Sequence, residues 1–161
     1  MSAEMKNHIL NLLETYQDRE RKIAALRYEL DHPAHVSPEE MIGAMSFARG
    51  DGTVRSEGHI SNKTLYIALN YKEQADQINI ETVDEVARRL LVLEQEQDRL
   101  VYYVSLLEKR QNDVLRLAYF ERCTWDEVAR MLGVALRTAH KIKTQAIEKL
   151  AEMYVFTGVG K

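Results

Sequence analysis

The sequence is poor in residues that cross-link chains or interrupt helices. Its 161 residues include one cysteine, two prolines and seven glycines. A single cysteine, Cys123, cannot form an intramolecular disulfide, which excludes a disulfide-stapled fold. No apolar run approaches the roughly 18 residues that span a bilayer, and the N-terminus lacks the basic-then-apolar order of a signal peptide. These absences predict a cytoplasmic protein with no membrane segment.

Helix-forming residues are abundant in their place. Leu, Glu, Lys, Arg, Gln and Ala are plentiful, and 45% of the residues are hydrophobic. This composition predicts an all-α fold with enough apolar side chains for a core. The sequence contains no glycine-rich phosphate loop, no nucleophile elbow and no complete zinc-ligand spacing. We therefore expect a protein that is not an enzyme and that has no cofactor and no bound metal.

Two segments of the first 105 residues carry heptad spacing. The first, about residues 3–30, has one polar step at Arg19, and the second opens with a capping-box spacing at Thr82 and Glu85. The stripe of this second, long helix consists of Val83, Val86, Leu90, Leu93, Gln97, Leu100, Val104 and Leu107. Each stripe needs an apolar partner, so two alternatives stay open. The two helices form a hairpin within one chain, or the 83–107 seam joins a homodimer.

The region between the two stripes predicts loops. Residues 32–81 contain both prolines and four of the seven glycines, with two short helices predicted, one capped by Ser37 and reaching about Phe47 and one over residues 62–77. We therefore divide the chain into a helical assembly region, residues 1–105, with a loop-rich middle at about 32–81, and a second domain, residues 106–161.

The second domain differs from the first in charge. From Lys109 to Lys161 there are ten Lys and Arg against six Asp and Glu, whereas the rest of the chain has twelve against nineteen. A basic segment in a protein of net charge −3 is the part that can meet phosphate groups.

The pattern of this basic domain is typical of a helix-turn-helix. A capping-box spacing at Thr124 and Glu127 opens a helix to Leu132, and Gly133 supplies the permissive backbone of a turn. A further helix is predicted over residues 136–152. Its predicted buried stripe is Ala139, Ile142, Ala146 and Leu150. A short helix, a three-residue turn and a longer helix are the proportions of a DNA-binding helix-turn-helix.

The outward side chains of this last helix are rich in hydrogen-bond donors. Arg137, His140 and Lys141 lie near its N-terminus and are predicted to face base edges, while Lys143 and Lys149 are predicted to lie nearer the DNA backbone. The complete predicted DNA-binding set is Leu136, Arg137, Thr138, His140, Lys141, Lys143, Thr144, Gln145 and Lys149. The predicted partner is double-stranded DNA.

The same region resembles region four of bacterial sigma factors. The resemblance is carried by residues 113–121 (DVLRLAYFE), 124–134 (TWDEVARMLGV) and 146–150 (AIEKL). It implies a helix-turn-helix whose second helix enters the major groove of a promoter while another side contacts RNA polymerase. It also implies base-facing positions at Leu136, Arg137, His140 and Lys141. Leu136 and Ala135 depart from the family, which usually has polar residues there.

The layout of the whole chain resembles phage late-transcription regulators of the ArpU and RinA type. The resemblance implies a sequence-specific transcription regulator that binds double-stranded DNA. Two alternatives remain: a small terminase-like DNA-packaging protein, which also couples a helix-turn-helix to an oligomerising helix, and a protein-interaction module that occupies RNA polymerase. A complete sigma factor is not expected, because residues 1–106 have no aromatic-rich cluster for promoter melting.

Overall fold

The computed structural model describes residues 3–33, 37, 39 and 62–159. These residues form six α-helices and one π-helical turn, in the order α1 (Ala3–Glu14), α2 (Tyr16–Asp31), α3 (Asn62–Ser105), α4 (Lys109–Leu115), the π turn (Arg116–Phe120), α5 (Trp125–Leu132) and α6 (Leu136–Thr157). The described ranges contain no strand, so the predicted all-α fold is confirmed. None of these helices is long and apolar enough to cross a membrane. Residues 34–36, 38 and 40–61 lie outside the described residues, and with them most of the predicted loop and of the short helix predicted to end near Phe47.

The N-terminal heptad segment forms two helices and not the single helix that its spacing predicts. The Thr15 hydroxyl donates to the Asn11 carbonyl at 2.7 Å, and the Thr15 N–H donates to the same carbonyl at 2.9 Å. A threonine that bonds back to the preceding turn bends a helix. The Arg19 N–H still donates to the Thr15 carbonyl at 2.9 Å, so α2 follows α1 without a loop.

Helix α3 is one unbroken helix of 44 residues. The predicted start at Thr82 is wrong, because the Thr82 hydroxyl donates to the carbonyl of Ile78 at 2.8 Å and caps nothing. The short helix predicted over residues 62–77 is the first part of α3, and residues 62–81 are helix where the sequence predicted part of a loop-rich middle. The helix ends at Ser105, before α4 begins.

The chain is divided into two compact units. The first consists of residues 1–24 and 91–161. Its main core joins α1, the end of α3, α4 and α6. The buried residues of this main core are Ile9, Leu12, Leu13, Leu100, Val104, Leu107, Leu115, Ala146, Ile147, Leu150, Ala151 and Tyr154. The unit therefore contains residues on both sides of the predicted 105/106 boundary. The second unit, residues 25–90, contains the end of α2 and the first part of α3, with Ala75 and Leu90 buried.

Gln97, in the second half of the predicted 83–107 seam, belongs to a buried polar cluster within one chain. Arg19 of α2 is 5% exposed and Gln97 of α3 is 4% exposed. The Arg19 guanidinium donates to Gln97 Oε1 at 2.9 Å and to the Leu12 carbonyl at 3.1 and 3.2 Å, and Gln97 Nε2 donates to Glu20 at 2.6 Å. These contacts favour the hairpin. A homodimer through residues 83–107 stays a prediction, and it would require Gln97 to leave these partners.

Tyr154 has a buried hydroxyl with no hydrogen-bond partner among the described residues. Burial raises the pKa of Tyr154 to about 12, and it raises the pKa of Tyr119 to about 12 as well. The folded state therefore holds these protons more tightly than an unfolded chain, whose tyrosines titrate near pH 10. This stability is fully present below pH 10 and is lost as the pH rises towards 12.

Replacing Tyr154 by Phe is expected to raise the free energy of unfolding at pH 7 by about 1 kcal/mol, because the unsatisfied hydroxyl is removed without a change of shape. The loss of stability above pH 10 should become smaller but not vanish, since Tyr119 remains. Urea unfolding at pH 7 and at pH 10.5 measures both effects. Tyr102→Phe, at an exposed position, is the control and should change neither. A lower unfolding free energy for Tyr154→Phe would contradict the expectation.

Candidate nucleic-acid interface

The start of α5 is fixed by a capping box. The Glu127 N–H donates to the Thr124 hydroxyl at 3.3 Å, and the Thr124 N–H donates to Glu127 Oε2 at 2.8 Å. The prediction from the spacing of Thr124 and Glu127 is confirmed. Two residues before Thr124, between the π turn and α5, Arg122 adopts a left-handed conformation with a φ of 57°.

The turn between α5 and α6 depends on a left-handed glycine. Gly133 has φ 65° and ψ 34°, and the N–H of Val134 donates to the carbonyl of Ala129 at 3.0 Å, which closes the end of α5. Ala135 occupies the N-cap position of α6 and offers no side-chain acceptor. The first backbone N–H groups of α6 therefore have no side-chain cap, the arrangement that favours a negative charge at a helix N-terminus.

The inward side of α6 is fixed by both cores of the unit. The predicted stripe is confirmed, because Ala139, Ile142, Ala146 and Leu150 are all buried. The helix continues to Thr157, beyond its predicted end. A second core binds α4, the π turn and α5 to α6. Its buried residues are Val114, Leu117, Val128 and Ile142. These contacts determine which side chains of α6 point away from the protein.

Arg137, Lys141 and Thr144 form the outward side of α6. Their spacing of four and three residues places them in one row along the helix, and all three are exposed. In the described part of the chain, Arg137 and Lys141 have no ion-pair partner. Thr138 and Gln145 are exposed beside this row, and Leu136 is 43% exposed. The two free cations of this exposed row are suited to phosphates and base edges, whereas the Thr144 hydroxyl donates to the carbonyl of His140 at 3.0 Å.

His140 and Lys143 lie against the side of α5 and not on the outward row. The centroid of the His140 ring is 4.7 Å from that of the Trp125 ring, and Lys143 Nζ lies 5.2 Å from the centroid of Trp125. Trp125 itself is half-buried against the second core. No sequence pattern indicates this contact, because it depends on the angle between α5 and α6. The role of His140 and Lys143 in binding DNA stays a prediction.

Lys149 has a partner on its own helix. Its Nζ lies 3.3 Å from Glu152 Oε2, and both side chains are more than half exposed. A phosphate would have to compete with this carboxylate for Lys149. The spacing of three residues between the two charges is the sequence signal that indicates the pair.

These elements define a helix-turn-helix: a capped short helix, a glycine turn and a longer helix with one free, basic side. Comparison with protein families identifies its type, because the family Sigma-70, region 4 matches residues 104–152. The match covers α4, the π turn, α5 and most of α6. The chain therefore contains a sigma-region-four-like helix-turn-helix, which is a DNA-binding domain. No curated protein and no solved structure matches the chain. The resemblance to regulators of the ArpU and RinA type stays a prediction.

Proposed function

We propose that this protein is a transcription regulator that binds a specific double-stranded DNA sequence at a promoter, and that it is not an enzyme. The observation that carries the proposal is the outward row of α6, with Arg137 and Lys141 exposed and without ion-pair partners in the described part of the chain, on a sigma-region-four-like helix-turn-helix. Its site of action is the cytoplasm of a bacterial cell or a phage-infected host. The phage origin rests on the layout of the whole chain.

Arg137 is the side chain best placed to read a base. It lies in the first turn of α6, the part of a recognition helix that enters the major groove. An arginine can donate two hydrogen bonds to one guanine, whereas contacts to phosphate are made with every sequence. RNA polymerase is a second proposed partner, and this part of the proposal rests on the family resemblance alone.

Replacing Arg137 by Ala tests the proposed reading of DNA. We expect a loss of roughly 1–3 kcal/mol at a preferred site and a weaker preference at one or two base pairs, because the guanine acceptors lose their donor. A preferred site is first selected from random duplexes with the unaltered protein. Fluorescence anisotropy with this site and with a scrambled duplex, at several salt concentrations, gives the ratio of the two affinities.

Lys149→Ala is the matched control for charge. It removes one cation from the same helix and should weaken both duplexes about equally, with a salt slope lower by about one unit if Lys149 contacts a phosphate. If Arg137→Ala leaves the ratio of affinities unchanged, α6 is not the reader, and the module that occupies RNA polymerase becomes the better explanation. A large ring-shaped oligomer of the unaltered protein would favour the packaging protein.

A further inference from the structure

Glu148 continues the outward row of α6. It follows Thr144 by four residues, so the register places it on the same side as Arg137 and Lys141. Its side chain is 44% exposed. A carboxylate on the side that approaches DNA repels the phosphates, and it reduces the attraction of the neighbouring cations. The outward row therefore contains one group that opposes the proposed function.

A lysine from the opposite end of the chain neutralises this carboxylate. Lys6 Nζ of α1 lies 2.7 Å from Glu148 Oε1, although the two residues are 142 positions apart in the sequence. The pair is not a chance meeting of two surface side chains, because Ile9 and Leu13 of α1 are 0% and 1% exposed in the main core that also contains α6. The core holds the backbone of α1 beside α6, and Lys6 is thereby held beside Glu148.

The pair contributes little to the fold. Both side chains are more than a third exposed, and ion pairs at such positions add little to the stability of a protein. The electrostatic field at a bound DNA duplex depends much more on the pair, because a neutralised Glu148 carboxylate and a free one differ by a full charge at the surface of contact. The effect of Lys6 should therefore appear in DNA binding and not in melting.

We propose that Lys6 is a positioning residue of the DNA interface, which neutralises Glu148 so that the outward row of α6 can approach phosphates. The inference rests on the proposed function of α6. Helix α1 then belongs to the nucleic-acid interface, although the sequence predicted this interface only within residues 106–161. Lys6 acts through Glu148 and needs no contact with DNA.

A double-mutant cycle in the full-length chain tests the proposal. The proteins are the unaltered chain, Lys6→Gln, Glu148→Gln and the double variant, and the readout is anisotropy with the preferred and scrambled duplexes at several salt concentrations. We expect Lys6→Gln to weaken both duplexes by roughly 3–10-fold at low salt. Glu148→Gln should bind at least as tightly as the unaltered protein. The double variant should bind as tightly as the unaltered protein, because the pair carries no net charge in either, and Lys6→Arg should keep the original affinity.

The cycle has three outcomes that would overturn the proposal. Lys6→Gln could have no effect, or the double variant could bind more weakly than the unaltered protein, which would mean that Lys6 touches a phosphate itself. Weaker binding by Glu148→Gln would mean that the pair has a structural role, and thermal melting of each variant shows this independently. Failure of the proposed function is distinguishable, because the unaltered protein would then bind no duplex, whereas failure of this inference alone leaves that binding intact.

Discussion

Removing residues 1–24 is expected to unfold the helix-turn-helix, even though the sigma-like match begins only at residue 104. Helix α1 contributes Ile9, Leu12 and Leu13 to the core that buries Leu150 and Tyr154 of α6. Truncating one such buried side chain costs about 2–5 kcal/mol, and the stability of a whole domain is only about 5–15 kcal/mol. Loss of all three together therefore costs about as much free energy as the whole domain has. Circular dichroism melting and DNA binding of the shortened chain measure the result.

Single substitutions in α1 separate the loss of core packing from the removal of residues 1–24. Leu13→Ala should lower the free energy of unfolding by about 2–5 kcal/mol, since Leu13 is 1% exposed. Asn7→Ala, at an exposed position on the same helix, is the control and should stay within about 0.5 kcal/mol. A shortened chain that still melts cooperatively and binds the preferred duplex would show that α1 is dispensable, against the burial in the main core.

Replacing Arg19 by Met is expected to lower the free energy of unfolding by about 3–5 kcal/mol. The guanidinium donates to the Leu12 carbonyl and to Gln97, and its Nε lies 3.4 Å from Glu96. Methionine fills similar space but donates nothing, so a buried carbonyl and a buried amide oxygen lose their partner. Urea unfolding followed by circular dichroism gives the difference.

The control for Arg19 is a cation with a similar stem on the same helix. Lys22 pairs with Asp18 at 2.8 Å, and both side chains are more than half exposed. Lys22→Met should therefore change the free energy of unfolding by less than about 1 kcal/mol. Adding Gln97→Leu to Arg19→Met should recover part of the loss, because an apolar pair leaves fewer polar groups unsatisfied. Equal losses for Arg19→Met and Lys22→Met would contradict the importance of the buried group.

The sequence predicted the helix-turn-helix well because its signals act over a few residues. The capping box at Thr124, the left-handed turn at Gly133 and the buried stripe of α6 are each determined within one or two helical turns. The same reasoning failed at Thr82. Its spacing to Glu85 is that of a capping box, but the preceding residues are already helical, so the hydroxyl bonds back to Ile78. A local pattern marks a helix start only where no helix precedes it.

Contacts between distant parts of the chain could not be predicted in this way. The spacing of α1 indicated that it needs an apolar partner, but the partner includes α6, which follows it by more than a hundred residues. The ion pair of Lys6 with Glu148 and the packing of Trp125 against His140 depend on how helices cross. The π turn at Arg116–Phe120 carried no recognisable spacing either. These features require the tertiary structure.

The core that α1 and α6 share can form only after both helices have been synthesised. Helix α1 leaves the ribosome before Ile147, Leu150 and Ala151 of α6, which follow Ile9 by more than 130 residues. At roughly 5–20 residues per second, Ile9 and Leu13 wait on the order of ten seconds for these partners. Closure of the core must then join α1 to α6, a contact of high sequence separation that slows folding. The nascent chain therefore carries an uncovered apolar helix until α6 has been made, which is the condition in which chaperones bind.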